Sequence, residues 1–162
     1  MNPITMVLYG DPRTKKNSRE HMTMENKKTG NTYTMPLPSK QFKAYEDDCL
    51  RQITGDFRRR IKRPINLQVV YYMQTRRVVD LVNLLEGTCD ILKDAGVVTD
   101  DNRNIIASTD GSRVLWDKKN PRTEITITDA ETGYEQWDTK RKDVKQRESL
   151  LDLHPGAARK RR

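Results

Sequence analysis

This chain has little cysteine, histidine or unbroken apolar sequence, and each shortage closes off a class of function. Its two cysteines, Cys49 and Cys89, both fall inside helical patterns, where a buried free thiol is commoner than a bridge, so a reducing cytoplasm is expected. Its two histidines, His21 and His154, sit in unpatterned segments, which excludes a histidine-based mechanism and a Cys/His zinc site. No apolar run approaches about 18 residues, so neither a membrane span nor a signal peptide is expected. No glycine-rich phosphate loop appears, which sets nucleotide hydrolysis aside. Hydrophobic residues make up 34% of the chain and mean hydropathy is −0.92, low enough that part of the chain should remain a solvated tail.

What the chain has in abundance is charge. Of its 162 residues 33% are charged, with a net charge of +8 that favours a polyanionic partner. Lys140 to Arg162 holds nine Lys or Arg and three Asp or Glu, and so accounts for six of the eight net charges. The remaining body is nearly balanced. A basic surface on it must come from segregation, with acidic groups gathered in one place and basic groups around them.

The acidic groups gather in residues 75–102. Leu81, Leu84, Leu85, Thr88, Ile91 and Leu92 recur at helical spacings, and Ala95-Gly96 supplies the stop. Asp80 stands at the N-cap position. Asn83, Glu86 and Asp90, spaced three and four apart, form one polar stripe beside the buried face. Asp100 and Asp101 follow by a short connection whose far end can fold back toward the helix start, so carboxylates from two places could converge.

Elsewhere the patterns are simpler. Ile4 to Tyr9 reads as a strand broken by Gly10-Asp-Pro12, and a basic loop follows, with Arg13, Lys15, Lys16, Asn17, Ser18 and Arg19 suited to phosphate contacts. Lys28-Thr-Gly30-Asn31 is a turn between two weak strands. Ser39 caps a helix from Lys40 to about Thr54, and Gly55 ends it. A basic cluster, Arg58 to Arg60 with Lys62 and Arg63, is either a solvated face or a phosphate-binding rim. Ile65 to Met73 is the best strand, apolar on both faces as in a covered central strand. Asn104 to Ser108, a turn at Asp110-Gly111 and Arg113 to Trp116 predict a hairpin, and Arg122 to Thr128 a further strand. Tyr134 to Leu153 could be a long charged helix before a basic terminus. The expected fold class is α+β: a mixed β-sheet with two main helices packed on one face over residues 1–130, and a charged, partly disordered or helical extension over 131–162.

A basic pair, an Asp, an Asn three residues later, a second Asp ten residues after the first, Ala-Gly and a paired Asp-Asp together resemble the RusA-like Holliday-junction resolvases. The positions are Arg76-Arg77, Asp80, Asn83, Asp90, Ala95-Gly96 and Asp100-Asp101. Two positions depart from the family pattern. Val82 stands where a second Asp is usual, and Glu86 stands where a Lys is usual. Glu86 is one candidate to restore the lost carboxylate, and Lys15 or Lys16 to restore the lost cation.

Several carboxylates suit a hard divalent cation, Mg²⁺ above all, with Mn²⁺ as an alternative. Asp80 and Asp101 are the expected metal ligands and catalytic residues, Glu86 the third, and Asp90 and Asp100 the reserves. Asn83 is expected to support the site, and Arg13, Lys15, Lys16, Asn17, Arg76 and Arg77 to contact DNA. The resemblance implies a structure-selective endonuclease acting as a homodimer on branched DNA in recombination and repair, in the cytoplasm of a bacterium or a phage-infected host. It hints at a phage or prophage origin. The competing expectation is a branched-DNA-binding protein of the same fold whose Val82 and Glu86 have weakened catalysis.

Overall fold

The computed structural model describes residues 2–15 and 20–130, and the expectations for Lys16, Asn17 and the extension at residues 131–162 lie outside the described residues. In chain order the elements are β1 (Ile4–Tyr9), β2 (Glu20–Glu25), β3 (Thr32–Leu37), α1 (Lys40–Gln52), β4 (Ile65–Met73), α2 (Leu81–Asp94), β5 (Ile106–Ser108), β6 (Arg113–Trp116) and β7 (Arg122–Asp129). β2 and β3 form a separate antiparallel hairpin. The main sheet runs β1-β7-β4, with β5 and β6 both on the far side of β4.

Alternation builds the sheet's inner face. Ile4, Met6 and Leu8 of β1, the odd residues Ile65 to Met73 of β4, and Thr123, Ile125 and Ile127 of β7 are buried. Both helices lie on this face. The Tyr71 hydroxyl bonds Thr88 of α2 at 2.7 Å, and Thr123, the register partner of Tyr71, shares a 2.9 Å hydroxyl bond with Tyr45 of α1. The mixed α+β sheet with two helices on one face is therefore as expected. β4 is central in the sheet, fully covered on its inner face and only partly on its outer one. Of the outer positions Val70 is buried, Asn66, Gln68 and Tyr72 are half-buried, and the Arg122 guanidinium lies 3.6 Å from the Tyr72 ring centroid. The apolar run in the sequence gave no sign of this, because Val70 and Tyr72 look the same under a helix or under an arginine.

The two helices meet at a glycine. A Cβ on Gly87 would stand 3.0 Å from Cε2 of the fully buried Phe42, so the close approach of α2 to α1 depends on its absence. α1 ends at Gln52, two residues sooner than its pattern suggests. Ile53 turns to extended backbone and its carbonyl accepts from the Arg58 guanidinium at 3.2 Å, so one arginine of the basic cluster closes the helix end.

The predicted hairpin of residues 104–116 is not formed. β5 and β6 both run parallel to β4, one after the other along its edge. Between them Gly111 takes φ +83°, where a side chain would also collide with Gln68. Asn66 holds the Asp110 backbone, and the Ser112 hydroxyl accepts from Val69 N at 3.0 Å and donates to Leu67 O at 3.3 Å. Asp-Gly is in a turn as expected, closed by Ser112 N donating to Thr109 O at 3.2 Å, but the turn is pinned to β4 and does not fold the next strand back on β5. Ser112→Ala leaves the Val69 amide without this acceptor, and about 1–3 kcal/mol of stability should be lost. Denaturant unfolding together with faster hydrogen exchange at Val69 would show it; an unchanged Val69 amide would contradict this account of the edge.

Candidate active site

The N-terminus of α2 is placed by a capping bond. Asp80 has extended backbone and its Oδ1 accepts from Val82 N at 2.9 Å, satisfying an amide that the first turn leaves unpaired. The approach to that cap is fixed by a residue whose role the sequence reading missed. Asp11, with 9% of its side chain exposed, accepts from Gln74 N at 2.8 Å and from Arg77 at 2.7 Å, and pairs with Arg13 at 3.0 Å. Arg77 also donates to Pro12 O at 2.6 Å. The loop after β1 and the loop before α2 are thus one polar knot. Asp11 had shown itself only as part of a turn between Gly10 and Pro12; the available signal was a lone carboxylate at the head of a basic loop.

Burial of Leu84, Thr88, Ile91 and Leu92 turns the stripe of Asn83, Glu86 and Asp90 to the half-exposed flank of α2. Lys15 reaches this flank from the β1 loop and donates to Asp90 Oδ2 at 2.6 Å. That hydrogen bond raises the Lys15 ammonium above the ordinary lysine value; burial opposes the rise, and the charges of Asp90, Glu46 and Glu86 add to it. One cation therefore stands in the field of three acids.

At the other end, Gly96 adopts φ +73° and turns the chain back after the helix. Val97 and Val98 are buried, and Val98 bridges to Ile61. This brings Asp101 against Lys93, whose ammonium bonds Asp101 Oδ1 at 3.2 Å and lies 3.9 Å from Asp90 Oδ1. The bond to Asp101 raises Lys93 above its ordinary value. Asp100 accepts from the Asp101 amide at 2.9 Å and from Asn102 at 2.6 Å, and these bonds, the amide first, lower its carboxyl below the usual range. The second acidic group thus meets the last turns of α2, around Asp90 and Lys93.

Asp90 and Asp101 are consequently brought together through Lys93, and Asp90 and Glu86 share the field of Lys15. The expected convergence of Asp80, Glu86 and Asp101 on one ion is not seen. Among the described residues, no three carboxylates, thiols or imidazoles come close enough together to hold a metal ion. Two of the three are held elsewhere: Asp80 Oδ1 by the Val82 amide and Asp101 Oδ1 by the Lys93 ammonium. Donor chemistry nevertheless fits a hard cation, since every candidate offers carboxylate oxygen. Mg²⁺ commonly takes one or two protein carboxylates and completes its shell with water and substrate phosphate.

The Lys15–Asp90 pair is partly exposed, with side-chain exposures of 39% and 20%, so after solvent screening it stabilises the fold by at most about 1 kcal/mol. Because the folded-state value of Lys15 is raised, that contribution is complete below the free-lysine value and is lost as pH rises through the folded one. Lys15→Met should cost less than about 1 kcal/mol at pH 8, and its gap from the parent should close only above about pH 10.4. Urea unfolding at several pH values measures this; a gap that closes below pH 9 would contradict it.

No curated protein matches the chain. The family model of endodeoxyribonuclease RusA matches residues 10–128, well over half of the chain, from the polar knot at Asp11 through α2 and Asp101 to the end of the sheet. Nucleases of that family are metal-dependent, in keeping with the carboxylates along α2. The chain accordingly belongs to the RusA family of endodeoxyribonucleases, the Holliday-junction resolvases.

Proposed function

We propose that the chain is a Mg²⁺-dependent, structure-selective endonuclease that hydrolyses phosphodiester bonds in branched DNA during recombination and repair, acting as a homodimer whose two-fold symmetry matches that of a four-way junction. It would work in the cytoplasm of a bacterium or a phage-infected host, and no helix among the described residues is long and apolar enough to cross a membrane. The observation that carries the reading is the half-buried acidic stripe of α2, flanked by Lys15 and Lys93, inside the family-matched span.

Asp80 and Asp101 are the proposed ligands. The bound cation would supply a hydroxide at neutral pH and charge stabilisation for the leaving oxygen. Lys15, already held on Asp90, stands in for the cation missing at position 86 and neutralises charge on a phosphoryl oxygen. Arg76 and the basic loop, including Lys16 and Asn17, contact the backbone, and Arg13 and Arg77 do so from their anchor on Asp11. Asn83 supports the ligand arrangement. The charged extension adds affinity without selectivity.

The second reading, a branched-DNA-binding protein with weakened catalysis, draws on one observation. Val82 is 67% exposed at the position where the family pattern carries a carboxylate. Metal-dependent nicking of a synthetic four-way junction separates the two readings: nicking in Mg²⁺ that EDTA abolishes supports the nuclease, and tight binding without nicking supports the alternative.

On the nuclease reading, Asp80→Asn and Asp101→Asn each reduce junction cleavage by at least roughly 100-fold, about 2.7 kcal/mol of barrier, while junction binding stays near the parental level. Near-parental cleavage by either variant removes that residue from the ligand set. Glu86→Gln and Glu86→Lys decide the third ligand. Both lose activity if Glu86 binds metal, whereas parental cleavage by Glu86→Lys transfers the role to Asp90 or Asp100. Deleting residues 140–162 should flatten the slope of log affinity against log salt, since the deleted segment carries six of the eight net charges. An unchanged slope would show that this segment does not touch DNA.

A further inference from the structure

One large aromatic side chain near the start of α2 has no place in this chemistry. Trp116, the last residue of β6, is 49% exposed, and Leu115 beside it is 39% exposed. Large exposed aromatics are uncommon, and they usually mark a surface that something else covers. The register settles which way Trp116 faces. Val114 pairs with Tyr71 and Trp116 with Met73, and Tyr71 and Met73 belong to the inner face that carries both helices. Trp116 therefore stands on the side of the sheet that bears α2, at the end of β4 from which the chain runs to the Asp80 cap. Asp117 N donates to Met73 O at 3.0 Å and holds this end of the edge in place.

The ring is already engaged by a cation. The Arg76 guanidinium lies 4.3 Å from its centroid, four residues ahead of Asp80. The exposed residues Lys118 and Lys119 follow it closely in the chain. An indole left half open, with a guanidinium on it and two lysines just beyond it, suits a partner that is both aromatic and anionic. A nucleic-acid base with its phosphates is such a partner, since every base has a stacking face and arginine adds a cation–π contribution. A regular duplex keeps its bases in one continuous stack; a branch point interrupts it.

Building on the nuclease reading above, we infer that Trp116 with Arg76 is a stacking platform for an unstacked base at the branch of the DNA, seated beside the helix that carries the acidic stripe. Trp116 thereby selects branched over linear DNA, while the phosphate contacts bind both. It is a binding residue and takes no part in the hydrolysis.

The test uses the full chain with Trp137→Phe, which leaves Trp116 as the one tryptophan. Titration with a four-way junction should quench its emission, and saturation with a linear duplex of the same length should not. Trp116→Ala should weaken junction binding by roughly 5- to 150-fold, with duplex affinity and unfolding midpoint unchanged, and Trp116→Phe should restore most of the loss. Three results would overturn the platform: a bound junction that leaves the emission unchanged, Trp116→Ala that binds junctions like its parent, or quenching that follows protein concentration without DNA, which would place a second copy of the chain on the ring. A chain that binds no DNA at all would overturn the nuclease reading and the platform together. Junction cutting with Trp116 unengaged would overturn the platform alone.

Discussion

The packing of α2 on the inner face of the sheet determines where every charged group of the site stands. Leu84, Ile91 and Leu92 are all but fully buried, and Thr88 is locked to Tyr71 by a hydroxyl bond that leaves both groups satisfied in the interior. With that face committed, helical geometry alone puts Asn83, Glu86 and Asp90 on one flank and Asp80 at the head. The sheet positions the helix, and the helix positions the acids. A rotation that exposed the stripe differently would have to take Leu84 or Ile91 out of the core, at roughly 1.5–3 kcal/mol for each side chain.

Gathering carboxylates along one helix flank carries an electrostatic cost, and the structure meets it with lysines from two directions. Lys15 comes from the loop after β1 and Lys93 from the helix itself, and each is raised above its ordinary value by the acid it bonds. On the proposed function such an arrangement would be a balance: the carboxylates that bind lysine would also be offered to a divalent cation, and the lysines to phosphate. Asp11 plays the matching part on the basic side, since it gathers Arg13 and Arg77 instead of leaving them to repel each other.

Much of this was legible in the sequence where the signal was local. The α2 periodicity, its Asp80 cap, the Ser39 cap of α1 and the strands at residues 4–9, 65–73 and 122–129 all follow from spacings of a few residues. The family pattern lay in the same local stretch. What escaped were non-local facts. Asp110-Gly111 marks a hairpin turn and a turn within one sheet edge equally well, and only Asn66, Gln68 and Ser112, more than 40 residues away or meeting partners that are, decide between them. The partial cover on the outer face of β4 rests on Arg122, far along the chain, and the knot at Asp11 joins loops more than 60 residues apart. Lys93, three residues beyond Asp90, is within reach of a helical spacing rule, but its bond to Asp101 depends on the turn at Gly96.

The central claim is that the acidic flank of α2, from the Asp80 cap to Asp101, is a divalent-cation centre. Adding Mn²⁺ to the nitrogen-15-labelled chain and following its amide resonances tests this without relying on activity. The account predicts paramagnetic broadening concentrated at Asp80, Glu86, Asp90 and Asp101, reversed by excess Mg²⁺, with β1 and β7 little affected. Broadening centred elsewhere, or none along α2, would contradict it.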